Sequence, residues 1–145
     1  MKEKDLMNGI FVYFNCFDGT RITVKVTGFK DNIVYGVSEN GSHWCTIEKV
    51  ESIPLTPEIL EKNGLKKDAF TNLSPDYYYS DEDCSICINL NSTCDKSKSI
   101  WVGNRNSEVS VSIEESRHSL QKKPLSVHQL QYALCFCGVE KEITL

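Results

Sequence analysis

No stretch of this chain spells a reaction. It has no nucleophile elbow, no P-loop and no dinucleotide-binding glycine motif. No apolar run reaches membrane-spanning length, so no membrane partner is expected. The N-terminus, Met1-Lys2-Glu3-Lys4-Asp5, is charged and lacks the apolar core of a secretory signal. The expected compartment is therefore the cytoplasm. A basic excess is missing too. The net charge is −4, which argues against a dedicated nucleic-acid backbone binder, since such proteins carry a basic face. Low-complexity segments and internal repeats are absent.

What is present suits a folded protein. The 145 residues fit one compact domain or two very small units sharing a core. Forty per cent apolar and ten per cent aromatic residues suffice for that core. Seven cysteines is a high count, but it is odd and accompanied by no signal peptide. That does not read as a disulfide framework; most should be small buried thiols.

The first half alternates strands and turns. Residues 10–17 are a strand-forming run, and Asp18-Gly19 is a hairpin signal. Residues 21–26 alternate with period two, 29–32 read as a turn, and 33–37 as a third strand. A second turn over 39–42 leads to strands at 44–47 and 50–53. Short strands with tight turns predict a curved antiparallel, SH3-like or barrel-like sheet. Thr56 should then cap a short helix with Pro57 in its first position and Asn63-Gly64 at its end.

The second half reads as another antiparallel sheet and a helix. Strands are expected from Tyr77, over 84–90, over 99–102 and over 108–113, with 142–145 returning as an edge strand. Residues 72–76, 91–97 and 114–123 read as turns or loops. Ser126 and Gln129 form a capping box, and Leu130, Ala133, Leu134 and Cys137 share one helical face. Gly138 supplies the left-handed stop. The expected fold is α+β: N-terminal sheet, short helix, second antiparallel sheet, C-terminal helix. The expected organisation is a β module over 1–55 and the remainder over 56–145, packed with it as one unit.

Two segments are family labels. The first is Ile53-Pro54-Leu55-Thr56-Pro57-Glu58-Ile59-Leu60-Glu61-Lys62-Asn63-Gly64. The second is Val127-His128-Gln129-Leu130-Gln131-Tyr132-Ala133-Leu134, followed by Gly138 and Glu142-Ile143. With them the chain resembles a family of small uncharacterised proteins of phages, prophages and conjugative elements of gut anaerobes. The motifs carry no known activity and transfer no catalytic residue. The resemblance implies a mobile-element accessory gene, of the kind that serves host takeover or counter-defence.

Candidate chemistry is thin. Cys84-Ser85-Ile86-Cys87 is a C-x-x-C with Cys94 downstream, and Cys135, Cys137 or His128 are the available further ligands for zinc. A strand turns Cys84 and Cys87 to opposite faces, so packing thiols are the simpler reading, and no metal or cofactor is expected. His43 and His118 fall in expected loops. The run Asp81-Glu82-Asp83 reads as a solvated turn rather than a cation site, and Glu108, Glu114 and Glu115 have no partners in the pattern. No catalytic residue is assigned, so the protein is read as a non-enzyme. The aromatics say more. Alternate aromatics on a sheet face outward, where flat rings stack on bases. The ligand-binding candidates are Trp44, Tyr78, Trp101, Arg105 and His128, with Arg21 as another phosphate clamp; for each Trp the plain alternative is core filling. The expected function is a non-catalytic binding protein that sequesters a nucleotide-derived immune signal. A protein-interaction or virion accessory role is the alternative, and a small metal-dependent hydrolase the third reading. The expected partners are a small nucleotide or a host protein, with homo-oligomerisation invited by edge strands.

Overall fold

The computed structural model describes residues 1–2, 5–67, 75–92, 97–115 and 123–145. Cys94, His118 and the loop expectations over 72–74, 93–96 and 116–122 lie outside the described residues. The chain forms two units, Met1–Ile53 and Pro54–Leu145. Pro54 and Leu55, read from sequence with the first module, bond within the second unit: Pro54 bridges Ser126, and the Leu55 N–H donates to the Leu125 carbonyl.

The first unit is a five-stranded antiparallel sheet in the order β4-β3-β2-β1-β5. Its strands are β1 (Phe11–Asn15), β2 (Arg21–Lys30), β3 (Ile33–Ser38), β4 (Gly41–Thr46) and β5 (Val50–Ser52). A 3-10 turn, Ile47–Lys49, precedes β5, which returns to pair with β1. A meander whose last strand comes back to the first is the SH3-like connectivity. Alternation builds the core: Val12, Phe14, Val24, Val26, Val34 and Val50 all turn inward and pack as one cluster.

Two local readings are corrected. The second strand does not stop at Val26. Its register shifts between Val26 and Gly28, so it bends and runs on to Lys30. The turn is only Asp31-Asn32, whose φ angles of 51° and 64° are left-handed. Short polar Asp and Asn tolerate that region, so two residues reverse the chain. The fourth strand starts at Gly41, so His43 lies on β4 rather than in a loop.

The second unit has the sheet order β10-β9-β8-β7-β6. It contains α1 (Pro57–Lys62), β6 (Lys66–Lys67), β7 (Tyr77–Ser80), β8 (Cys84–Asn89), β9 (Ser99–Asn104), β10 (Ser110–Glu114) and α2 (Val127–Phe136). The fold is thus α+β in the expected order of sheet, helix, sheet and helix. Both helices start and stop on local chemistry. Thr56 Oγ1 accepts from the Ile59 N–H at 3.3 Å, and the Gln129 side chain accepts from the Ser126 N–H at 2.9 Å. Gly64 and Gly138 take φ of 83° and 68°. At each end the paired bonds of a Schellman motif close the helix: Gly64 to Glu61 and Leu65 to Leu60, then Gly138 to Cys135 and Val139 to Leu134.

α2 lies against β9 and β10. Val127, Leu130, Ala133 and Leu134 are buried, as are Ile86, Ile88, Ile100 and Val102 of the sheet. Burying a Leu or Ile side chain is worth about 1.5–3 kcal/mol, so this layer is the unit's main source of stability. The tail 142–145 is not a strand. The Asn63 side chain takes both of its backbone partners instead: Nδ2 donates to the Thr144 carbonyl at 2.7 Å, and Oδ1 accepts the Thr144 N–H at 2.8 Å.

Candidate functional site

The outer face of the second sheet gathers three of the five candidate residues. β8 is the strand that organises them. Its pattern buries Cys84, Ile86 and Ile88 and turns Ser85, Cys87 and Asn89 to the other side. The two thiols of the C-x-x-C therefore point to opposite faces of the sheet. Cys87 pairs with Tyr78 on one side and with Trp101 on the other. Tyr78, Cys87 and Trp101 form one cross-strand row. Two strand spacings separate the aromatics, about 10 Å. Neither ring is core filling: Tyr78 is 39% and Trp101 36% exposed.

The next row on this face is Ser80, Ser85, Gly103 and Ser110. It holds small residues only, and Trp101 uses the space. A Cβ placed on Gly103 would sit 2.5 Å from Trp101 Cη2 and 2.9 Å from Cζ2. The outer edge of the indole's six-membered ring therefore occupies the space over Gly103. This seat exists because residue 103 has no side chain.

Arg105 closes the end of the face. It follows β9 in the turn to β10, and its own N–H donates to the Asp83 carbonyl at 2.9 Å. Its Nη2 donates to the Oγ atoms of Ser80 and Ser85, and Nε also reaches Ser85 at 3.3 Å. Neutral hydroxyls hold the guanidinium without neutralising it. Among the described residues the one ion pair is Arg21–Glu51, and none of their carboxylates pairs with Arg105. An oriented, charged fork beside an exposed indole suits a planar ring carrying phosphate.

The remaining candidates lie elsewhere. Trp44 is on β4 of the first unit and is 68% exposed. His128 is in the first turn of α2, which covers the other face of the second sheet; its Nδ1 is 2.9 Å from Ser126 Oγ. Arg21 is committed to Glu51 at 2.9 Å and to Asn15 Oδ1 at 3.2 Å.

The acidic turn is held internally. Asp81 Oδ1 accepts the N–H groups of Asp83 and Cys84, each at 2.8 Å, and Oδ2 accepts the Tyr79 hydroxyl at 2.6 Å. The Tyr79 bond, then those N–H donors, lower the Asp81 carboxyl to about 2. The same Asp81 acceptor is the largest cause raising the Tyr79 phenol to about 12. The described cysteines, Cys16, Cys45, Cys84, Cys87, Cys135 and Cys137, are free thiols. Burial raises Cys84, Cys87 and Cys137 above the usual thiol range. Among the described residues no three His, Cys, Asp or Glu side chains gather in metal-binding geometry, and no helix is long and apolar enough to cross a membrane.

Reading from sequence missed Ser80, Ser85 and Gly103. The signal for Gly103 was available, because Trp101 and Gly103 stand two apart in a strand and so share a face. The serines carried none until register placed them under Arg105. No family model matches the chain, and no curated protein or solved structure is significantly similar to it.

Proposed function

We propose that this is a non-catalytic binding protein, an accessory of a phage or other mobile element, that sequesters a small nucleotide-derived signal on the outer face of its second sheet. The observation that carries the reading is the placement of Arg105, held by Ser80 and Ser85, beside the indole seated on Gly103. A base would stack on the open face of Trp101, with Tyr78 across Cys87 as a second surface. The guanidinium would take a phosphate. Stacking is worth about 1–3 kcal/mol per base, and a charge-assisted contact adds to it. Together with further contacts this supports micromolar affinity, about −8 kcal/mol. The mobile-element context comes from the two sequence motifs alone.

The test is calorimetry against a panel of cyclic dinucleotides and cyclic ADP-ribose isomers, followed by chromatography of the recovered ligand. Saturable binding weakened by Trp101→Ala and by Arg105→Ala, with intact recovery, supports sequestration. Conversion of the ligand makes the protein an enzyme. No heat with any member puts the protein-interaction reading ahead. One observation favours that second reading: Tyr35 and Trp44 pair directly across β3 and β4 and are both exposed, with exposed Val37 two residues along β3. Exposed apolar side chains grouped in this way offer a surface on which a protein could dock.

A further inference from the structure

We propose that the first unit carries a ligand site of its own, a cleft that takes a small apolar carboxylate, with Lys49 receiving the carboxylate group. The assignment does not rest on the reading of the second sheet. The cleft has a volume of about 360 Å³, within the roughly 300–1,000 Å³ of small-molecule sites. Its walls come from the end of β1, the hairpin turn that follows, the start of β2, β4 and the 3-10 turn. Phe14, Phe17, Ile22 and Trp44 supply apolar surface, and Cys45 lies among them.

Charge decides what fits. No Asp or Glu lines the cleft, and Lys49 is its one fixed cation. The Lys49 ammonium sits 3.3 Å from the Phe17 ring centroid, and no carboxylate pairs with it among the described residues. Phe17 is 97% exposed at the hairpin tip, yet its ring is held against this cation. Burial, with the neighbouring Cys16 thiol adding to it, raises the Cys45 thiol to about 11, so that thiol carries no negative charge near pH 7. An apolar body would leave water in such a cleft, and an anionic head would gain a charge-assisted bond at Lys49. A cationic head would be repelled. A neutral one would lose that bond.

Decanoate is the probe and decanol its uncharged counterpart, each titrated into the full chain below its micelle concentration. Decanoate should bind saturably, one per chain. Lys49→Gln should weaken decanoate about tenfold while moving decanol less than about twofold, since a tenfold change corresponds to one ionic hydrogen bond of about 1.4 kcal/mol. Phe17→Ala removes one wall without touching the core and should weaken both probes. Circular dichroism checks that each variant is folded. No saturable decanoate binding overturns the proposal. So does equal weakening of the two probes by Lys49→Gln, or binding that both variants leave unchanged.

Discussion

The seat of Trp101 on Gly103 makes a demanding prediction for Gly103→Ala. Gly103 is not among the residues with positive φ, so alanine can adopt its backbone. The new methyl would meet the indole at 2.5, 2.9 and 3.3 Å from Cη2, Cζ2 and Cζ3. Ordinary carbon contacts lie near 3.5–4.0 Å, so the ring must move by about 1 Å or more. It has somewhere to go, because the atoms it meets belong to a side chain that is partly exposed. A half-open ring gives up little packing when it tilts, and alanine offsets part of that by about 0.4–1 kcal/mol through reduced freedom of the unfolded chain. The net stability change should stay within about 1 kcal/mol. Function should suffer more. A tilted indole forfeits a stacking contribution of about 1–3 kcal/mol, a loss of roughly fivefold to over a hundredfold in nucleotide affinity. Urea denaturation gives the first number and calorimetry the second. Emission from Trp101 in a Trp44→Phe background reports the ring's movement. A stability loss above about 2 kcal/mol with unchanged Trp101 emission would refute the geometry. Shifted emission with full nucleotide affinity would refute the role given to the indole.

Replacing Leu130 or Leu134 by Ala should destabilise the chain by about 2–5 kcal/mol in urea, since both are buried on the inward face of α2; unchanged midpoints would mean the face is wrong. Asp81 has a folded pKa of about 2, below its ordinary 3.8. Its contribution is therefore present above pH 4 and lost as pH falls toward 2, modestly because the group is exposed. Asp81→Asn should flatten stability across that window, and an unaltered pH profile would count against it. Iodoacetamide at neutral pH should label exposed Cys135 well before buried Cys45, Cys84 and Cys137, and purified protein should carry no stoichiometric zinc by elemental analysis. Light scattering at micromolar concentration should give a dimer or larger, because β4, β5, β6 and β10 are sheet edges; a monomer removes this expectation.

Much of the fold was legible because its signals are local. Period-two alternation marks the buried face of β2 and of β8 within each strand's own sequence. Thr56, Pro57, Ser126, Gln129, Gly64 and Gly138 act on backbone groups a few residues away, so both helices could be bounded from the chain itself. Local readings failed where a neighbour in space took over. Residues 142–145 look able to pair as a strand, but the Asn63 side chain takes both backbone groups of Thr144 from 81 positions earlier. β6 has only Lys66 and Lys67, too short for any pattern, and exists because β7 offers an edge.

The candidate site divides the same way. That Tyr78 opposes Tyr77 and Tyr79 follows from strand alternation, and that Trp101 shares a face with Gly103 follows from their spacing; that both rings lie on the outer face does not. That Tyr78 and Trp101 flank one cysteine depends on the register of three strands. That Arg105 folds back onto Ser80 and Ser85 depends on the Asp83 carbonyl receiving its N–H across the sheet. Alternation and capping involve atoms within one turn or one pleat, so sequence alone determined them. Register and the choice of partner for a long charged side chain are set by many weak interactions made together, and only the tertiary structure decided those.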